Sequence, residues 1–166
     1  MPLRTDKKRG YENALEILDE MNLDGIEVEF VQGVRMSDKS RQVVKDASKK
    51  YTFTAHGPFF INLNAREQEK IDASITRIID TATVANEFGG YSITYHAAFY
   101  LGNDKDVVFK RVADRTAQII EILEKENNKI WIRPETTGKA TQWGGRFPPA
   151  PRREAAPARS FLLPRR

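Results

Sequence analysis

The sequence predicts an α/β fold in which a parallel sheet of about four strands is covered by helices. Short runs rich in β-branched and aromatic residues alternate along the chain with longer stretches whose apolar residues recur at helical spacing. Strict alternation of this kind is typical of a parallel sheet, because each helix carries the chain back to the same edge. A complete eight-stranded barrel needs about 250 residues, so a chain of 166 residues predicts a sheet that is open or incomplete.

Four segments have the composition of buried strands. Each is bounded by glycine, proline or a polar turn, and the predicted strands are residues 25–31, 51–55, 91–95 and 130–133. Within the first strand Glu27 and Glu29 alternate, so at least one carboxylate is expected to point inward from the sheet. A carboxylate in that position is costly unless it is paired. We therefore expect it to be either a buried pair partner or part of a site. Trp131 is expected in the core.

Four helices are predicted between and before these strands, at residues 11–21, 37–50, 66–88 and 104–127. The third has the clearest pattern, with apolar residues spaced four and three apart in turn. Its start resembles a capping box, because Asn64 precedes Glu67 by three residues. Gly89 and Gly90 are expected to end it, since glycine adopts the left-handed conformation at a helix C-terminus. Asn103 is the candidate N-cap of the fourth helix.

Composition excludes several classes of protein. Hydrophobic residues make up 40% and charged residues 30% of the chain, as in ordinary globular proteins. No apolar run approaches the roughly 18 residues that span a bilayer, so no membrane association is expected. The absence of cysteine excludes disulfides and thiolate metal sites. A cytoplasmic location is expected and is compatible with this composition.

The composition changes abruptly at Gly144. The segment 144–166 contains six arginines and five prolines but a single acidic residue, so the positive net charge of the chain belongs to this segment. Proline at that density opposes both helix and strand. We therefore expect a folded domain over residues 1–143 and a disordered Arg/Pro-rich tail over residues 144–166.

The only two histidines of the chain and one glutamate follow successive predicted strands. His56, His96 and Glu135 are separated by 40 and 39 residues, about one βα unit each. The carboxyl ends of parallel strands share one edge, where α/β proteins form their sites. A lone histidine at a strand end is more often a structural residue, but three ligand-type residues in successive units favour a shared metal site. Two imidazoles and a carboxylate suit zinc or manganese.

Four motifs around these residues resemble the endonuclease IV family, in order and at matching intervals. They are His56-Gly-Pro-Phe-Phe-Ile-Asn-Leu63, Tyr95-His96 followed by Phe99-Tyr-Leu-Gly102, Arg133-Pro-Glu-Thr-Thr-Gly-Lys139, and the segments 25–31 and 33–36, which are similar to archaeal-type members. The resemblance extends over residues 2–143. It implies the N-terminal portion of a (β/α)8 TIM barrel, a partial barrel that lacks the first strand and the C-terminal half. It also implies cleavage of DNA on the 5′ side of abasic sites with three zinc ions.

The resemblance assigns a role to each residue of the predicted site. It makes His56 and His96 ligands of the first zinc ion, and it makes Glu135 the catalytic carboxylate that bridges the first zinc to a second. The chain itself is expected to hold one zinc ion at most, with manganese as an alternative metal. The activity implied is metal-assisted hydrolysis of a phosphodiester in double-stranded DNA that contains an abasic site.

The resemblance also implies a DNA-binding surface. Phe59 occupies the place of an aromatic wedge beside the abasic gap, and Gln32 and Arg35 lie in a loop that probes the DNA stack. The alternative is a packing role for Phe59 and a solvated role for the two polar residues.

The sequence is also compatible with two other functions. Related barrels place histidine and glutamate metal ligands at the same strand ends in sugar isomerases and epimerases. The second alternative is a non-catalytic remnant or interaction module. As an open half-barrel, it is expected to expose barrel-facing apolar residues such as Val28, Phe53 and Ile132, and to self-associate through unpaired sheet edges.

Overall fold

The computed structural model describes residues 10–137 and 141–144, and within these ranges four helices alternate with four strands. The helices are α1 (Tyr11–Glu20), α2 (Asp38–Ala47), α3 (Gln68–Glu87) and α4 (Lys105–Lys125). The strands are β1 (Gly25–Glu29), β2 (Thr52–His56), β3 (Ser92–His96) and β4 (Trp131–Glu135). All eight predicted elements are present, with ends that differ by a few residues. The predicted tail lies outside the described residues except for Gly144.

The four strands form one parallel sheet in the order β1-β2-β3-β4. Sheet order therefore follows chain order, and each neighbouring pair of strands is joined through one helix. The helix α3, which joins β2 to β3, packs over both of these strands. Consecutive βα units of this kind make part of a TIM barrel, so the predicted fold class is confirmed.

The core lies between the sheet and its helices. Alternate strand residues point to this side, because successive side chains of a strand face opposite ways. Val28 and Phe53 are buried there with Leu18 of α1, Ile78 of α3 and Ile119 of α4. The prediction that Val28 and Phe53 face the open interior of the barrel is therefore wrong. Ile132 is half-buried and packs against the same core, because the apolar members of each strand are those that the helices cover.

The other face of the sheet carries mostly polar side chains, and none of the four helices of the described residues covers it. Glu27 and Glu29 both lie on this face, so the expectation of an inward-pointing carboxylate is confirmed, but both are exposed. Trp131 also lies here and is 61% exposed. Its ring stacks on that of Tyr91, with centroids 6.3 Å apart, and the Arg133 guanidinium lies over both rings. The prediction of a core position for Trp131 is wrong, because the strand alternation directs it away from the helices.

The helix ends agree with the sequence in one place and differ in two. Gly89 follows α3 with φ +78, in the left-handed conformation, as predicted. Glu67, not Asn64, is the N-cap of α3, and no side chain caps that helix. At α4 the N-cap is Asp104 instead of Asn103, and its side chain accepts bonds from the backbone N–H groups of Asp106 and Val107.

The two longest helices are amphipathic. In α4 the buried side of the helix is apolar, whereas charged residues are frequent on the solvent side. Among the helices of the described residues, none combines the length and the apolar character that a bilayer span requires.

Candidate metal centre

His56, His96 and Glu135 are the last residues of β2, β3 and β4. The sequence predicted that they follow the strands, but each is still part of the sheet: His96 and Glu135 are register partners, and the His56 carbonyl accepts the backbone N–H of Phe30. Because parallel strands end at one edge of the sheet, the three side chains meet there. The structure thus brings together the residues that the sequence singled out.

A single carboxylate oxygen lies between the two imidazoles. Glu135 Oε2 is 3.3 Å from His56 Nε2 and 3.2 Å from His96 Nε2. The two rings are nearly perpendicular, with an interplanar angle of 87° and centroids 5.2 Å apart. Three ligand-type atoms therefore converge on one small volume.

The contact of His56 Nδ1 shows which ring nitrogen of His56 carries the proton. His56 Nδ1 lies 2.8 Å from the carbonyl oxygen of Gly57. A carbonyl only accepts, so Nδ1 carries a proton, and in the neutral imidazole the lone pair is on Nε2 and faces Glu135 Oε2. Two lone pairs at this separation repel unless a proton or a cation lies between them. A backbone carbonyl that orients a histidine in this way is one of the common partners of a metal-ligating imidazole.

The donor set and its spacing fit a divalent ion. Zinc bonds nitrogen and carboxylate oxygen at about 2.0–2.1 Å, which separates adjacent tetrahedral ligands by roughly 3.3 Å. The two N–O distances of 3.3 and 3.2 Å match that separation. The side chains of His56, His96 and Glu135 are 13%, 37% and 43% exposed. A metal held by them would thus have a side open to water or substrate.

The loops after β2 and β3 are tied together beside this centre. The backbone N–H of Leu63 donates to the carbonyl of Ala97 at 2.8 Å. Asn62 Oδ1 accepts the backbone N–H groups of Asn64 and Phe99 at 3.0 and 3.2 Å. The segment that follows His56 is therefore held against the segment that follows His96.

Asn64 also joins these segments, and it is only 1% exposed. Its Nδ2 donates to the carbonyls of Phe99 and Tyr100 at 2.9 and 3.2 Å, and its Oδ1 accepts from Arg111 Nη1 at 2.9 Å. The sequence suggested a helix cap for this residue. The signal that could have revealed its role is its place just after the motif that begins at His56, where a buried amide can join two loops.

The predicted DNA-binding residues lie at the same edge of the sheet, outside the three-residue cluster. Phe59 is 55% exposed, and its backbone N–H donates to the carbonyl of Val31 at 3.2 Å. This bond joins its loop to the loop after β1, which carries the exposed residues Gln32 and Arg35. Glu27 stands apart from the cluster, and its Oε2 accepts from Thr54 Oγ1 at 3.1 Å.

The family model that describes the xylose isomerase-like TIM barrel matches residues 15–150. An uncharacterized protein of Methanocaldococcus jannaschii is 41% identical over 131 residues, which are 79% of this chain and 48% of that protein. The chain thus spans about half the length of the curated relative that it matches.

Solved structures with the same fold include proteins of different activities. A D-tagatose 3-epimerase-like protein aligns with a TM-score of 0.64 and 18% identity over 81% of this chain and 52% of its own. Endonuclease IV from Thermus thermophilus aligns with a TM-score of 0.62 and 16% identity over 83% and 51%. The IOLI protein, whose structure has a bound zinc atom, aligns with a TM-score of 0.64 and 14% identity over 82% and 50%. At these identities the similarity shows the fold alone.

Proposed function

The chain belongs to the xylose isomerase-like TIM barrel family, and from this premise we propose that its centre binds a divalent metal and serves the hydrolysis of DNA phosphodiesters at abasic sites. The observation that carries the proposal is the convergence of both His Nε2 atoms on Glu135 Oε2. The motifs that resemble endonuclease IV favour a nuclease over other metal-dependent reactions.

In the proposed hydrolysis the metal ion and the residues of the chain would have different roles. A divalent ion supplies Lewis acidity, which polarises a phosphoryl oxygen and makes nearby water more acidic. His56 and His96 would hold such an ion through their Nε2 atoms, and the carbonyl of Gly57 keeps His56 in the tautomer that can do so. Glu135 faces both imidazoles through Oε2, and this oxygen would complete the ligand set. Its other oxygen, Oε1, would then be available to accept a proton from attacking water.

The loops at the same edge supply a surface for damaged DNA. An abasic site leaves a gap in the base stack, and an exposed aromatic ring can fill such a gap. Phe59 offers an exposed ring three residues after His56. Gln32 and Arg35, in the loop joined to that of Phe59, provide amide and guanidinium donors for phosphate or base edges.

Metal content and turnover test the proposal together. The purified chain is assayed for bound zinc and for cleavage of a duplex that contains one tetrahydrofuran abasic analogue, with zinc or manganese added. We expect about one ion per chain and a cut on the 5′ side of the analogue. His56→Ala and Glu135→Gln should lose both properties. Glu29→Gln, which removes a carboxylate of the same sheet face that lies outside the cluster, is the matched control and should keep both.

The outcomes separate the two parts of the proposal. Equal metal content in the wild type, His56→Ala and Glu135→Gln would disprove the metal centre. Metal bound through these residues without cleavage of abasic DNA would disprove the nuclease and leave the metal centre intact.

A sugar isomerase or epimerase is the second candidate, and one observation favours it. Glu29 is the register partner of His56 on the same face of the sheet, and its carboxylate is exposed. A carboxylate beside a metal can remove a proton from the carbon next to a carbonyl. This candidate predicts metal-dependent epimerisation of a ketose that Glu29→Gln abolishes. Metal binding without turnover of either substrate would favour the non-catalytic module.

A further inference from the structure

We propose that two copies of this chain pair edge to edge, with β4 of each copy beside β1 of the other, and so close an eight-stranded parallel barrel. The inference concerns the uncovered face and the two edges of the sheet. It does not depend on the proposed reaction or on metal binding.

The backbone of each edge strand, β1 and β4, can pair with a further strand. Within the described residues, β1 is hydrogen-bonded to β2 alone and β4 to β3 alone. Unpaired edges readily pair with another chain unless they are covered, and closure into a barrel removes them. Eight parallel strands is the number at which βα units close. A second copy turned by 180° about the barrel axis presents β1 parallel to β4 of the first, and the same rotation joins the remaining edges.

On the face that closure would bury, β1 carries two exposed acids, Glu27 and Glu29, and β4 carries the exposed Arg133. β4 also carries Glu135 on this face, but that carboxylate lies against His56 and His96 of its own chain. Edge pairing places Glu27 and Glu29 beside the guanidinium of the other copy at both seams. Opposite charges on neighbouring strands stabilise such a pairing, whereas like charges oppose it.

Where β1 of one copy would meet β4 of the other, helix α1 of the first copy would fit beside helix α4 of the second. The helix α3, which precedes β3, covers both β3 and its preceding neighbour β2. In the same way α1, which precedes β1, would cover β1 and the β4 strand of the second copy. Beside β4 lies an open groove of about 380 Å³ with a mixed lining. Its apolar residues are Ile120, Leu123, Ile130 and Ile132, and its polar ones are Glu124, Asn127, Asn128 and Lys129. Near the end of α1, Met21 and Leu23 are exposed and of a size to enter that groove.

The oligomeric state of the full chain tests the inference. Sedimentation velocity over a concentration series should show a discrete dimer. Arg133→Glu should raise the dimer dissociation constant at least tenfold. Adding Glu27→Arg and Glu29→Arg to the same chain should recover most of that loss, because the charges at both seams are then exchanged. Far-ultraviolet circular dichroism checks that each variant is folded.

A pair of isoleucine variants tests the helix contact separately. Ile120 and Ile122 are equally exposed on α4, at 38% each, but Ile120 lines the groove and Ile122 does not. Ile120→Asp should weaken the dimer at least tenfold, and Ile122→Asp should leave it unchanged. A monomer at every concentration, growth into open-ended assemblies, or a dimer that neither Arg133→Glu nor Ile120→Asp weakens would overturn the inference.

Discussion

His96 and Glu135 are register partners on adjacent strands, and His96 Nε2 lies 3.2 Å from Glu135 Oε2. The sheet itself therefore fixes this pair, because each residue ends a strand whose backbone is bonded to that of the other. His56, on the next strand, approaches the same oxygen. Side chains held by strands need little rearrangement to bind an ion, since the ordering has already occurred in the fold.

Zinc should stabilise the chain, and Glu135 should be required for the effect. A ligand that binds only the folded state stabilises it by about 2.7 kcal/mol at a free concentration 100 times its dissociation constant. We expect zinc to raise the melting temperature of the wild type by several degrees and to leave Glu135→Gln unchanged. Thermal unfolding with and without zinc measures this. A similar rise in both proteins would place the zinc elsewhere, and Glu29→Gln serves as the control that keeps the response.

Asn64→Ala should be strongly destabilising. The substitution removes the donor to two backbone carbonyls and the acceptor for Arg111, from a side chain that is itself only 1% exposed. Leaving buried polar groups without partners costs about 1–3 kcal/mol. Urea unfolding should show a loss in that range. Asn103→Ala, in the nearby loop, is expected to change stability by less than about 0.5 kcal/mol, and an equal loss in both variants would contradict the role assigned to Asn64.

Asp104→Ala should weaken α4, whereas the corresponding change before α3 should not weaken that helix. Asp104 accepts two backbone N–H groups of the first turn, so its removal is expected to cost about 1 kcal/mol. Glu67 precedes α3 and makes no side-chain cap. Its exposed ion pair with Lys70 at 3.0 Å contributes little, so Glu67→Ala is the control. Denaturant midpoints of the two variants should therefore differ, and a larger effect at Glu67 would show the assignment to be wrong.

Asp19 should contribute stability that disappears in acid. Bonds from Lys50 and then Tyr51 hold the pKa of its carboxyl below its ordinary value. As the pH falls, the unfolded chain binds a proton at this residue before the folded chain does. The contribution is thus complete above the ordinary pKa of an aspartate and is lost as the pH falls through the lowered pKa.

Two variants measure this effect. Wild type should be more stable than Asp19→Asn at pH 7, and the difference should shrink below about pH 4. Glu16→Gln, which removes the same charge elsewhere on α1, controls for net charge. A difference between wild type and Asp19→Asn that does not change with pH would refute the proposed origin of the shift.

The order of the elements and the convergence at the sheet edge were accessible from the sequence. Helical and strand periods are local patterns, and each of the eight elements extends over enough residues to display one. The meeting of His56, His96 and Glu135 follows from those patterns and one topological rule, that parallel strands end at a common edge. The same rule predicts that His56 and Glu135 lie close together, although they are 79 positions apart in the chain.

The sequence could not show which face of each strand the helices cover. Trp131 and Phe53 are both large and apolar, but one is exposed and the other is buried, because residue type does not determine the direction in which a strand alternates. Asn64 was missed for a related reason. Its partners Phe99, Tyr100 and Arg111 are distant in the chain, whereas the capping pattern that suggested a local role needs only two nearby residues.

The agreement between sheet order and chain order has a consequence for how the protein emerges from the ribosome. Each of β2, β3 and β4 pairs with the strand synthesised just before it, so a growing chain can add one unit to those already formed. Until the next unit is added, the newest strand has an unpaired edge, in addition to the outer edge of β1. Folding during synthesis would therefore move the growing edge of the sheet, with its unpaired backbone groups, one strand at a time from β1 toward β4.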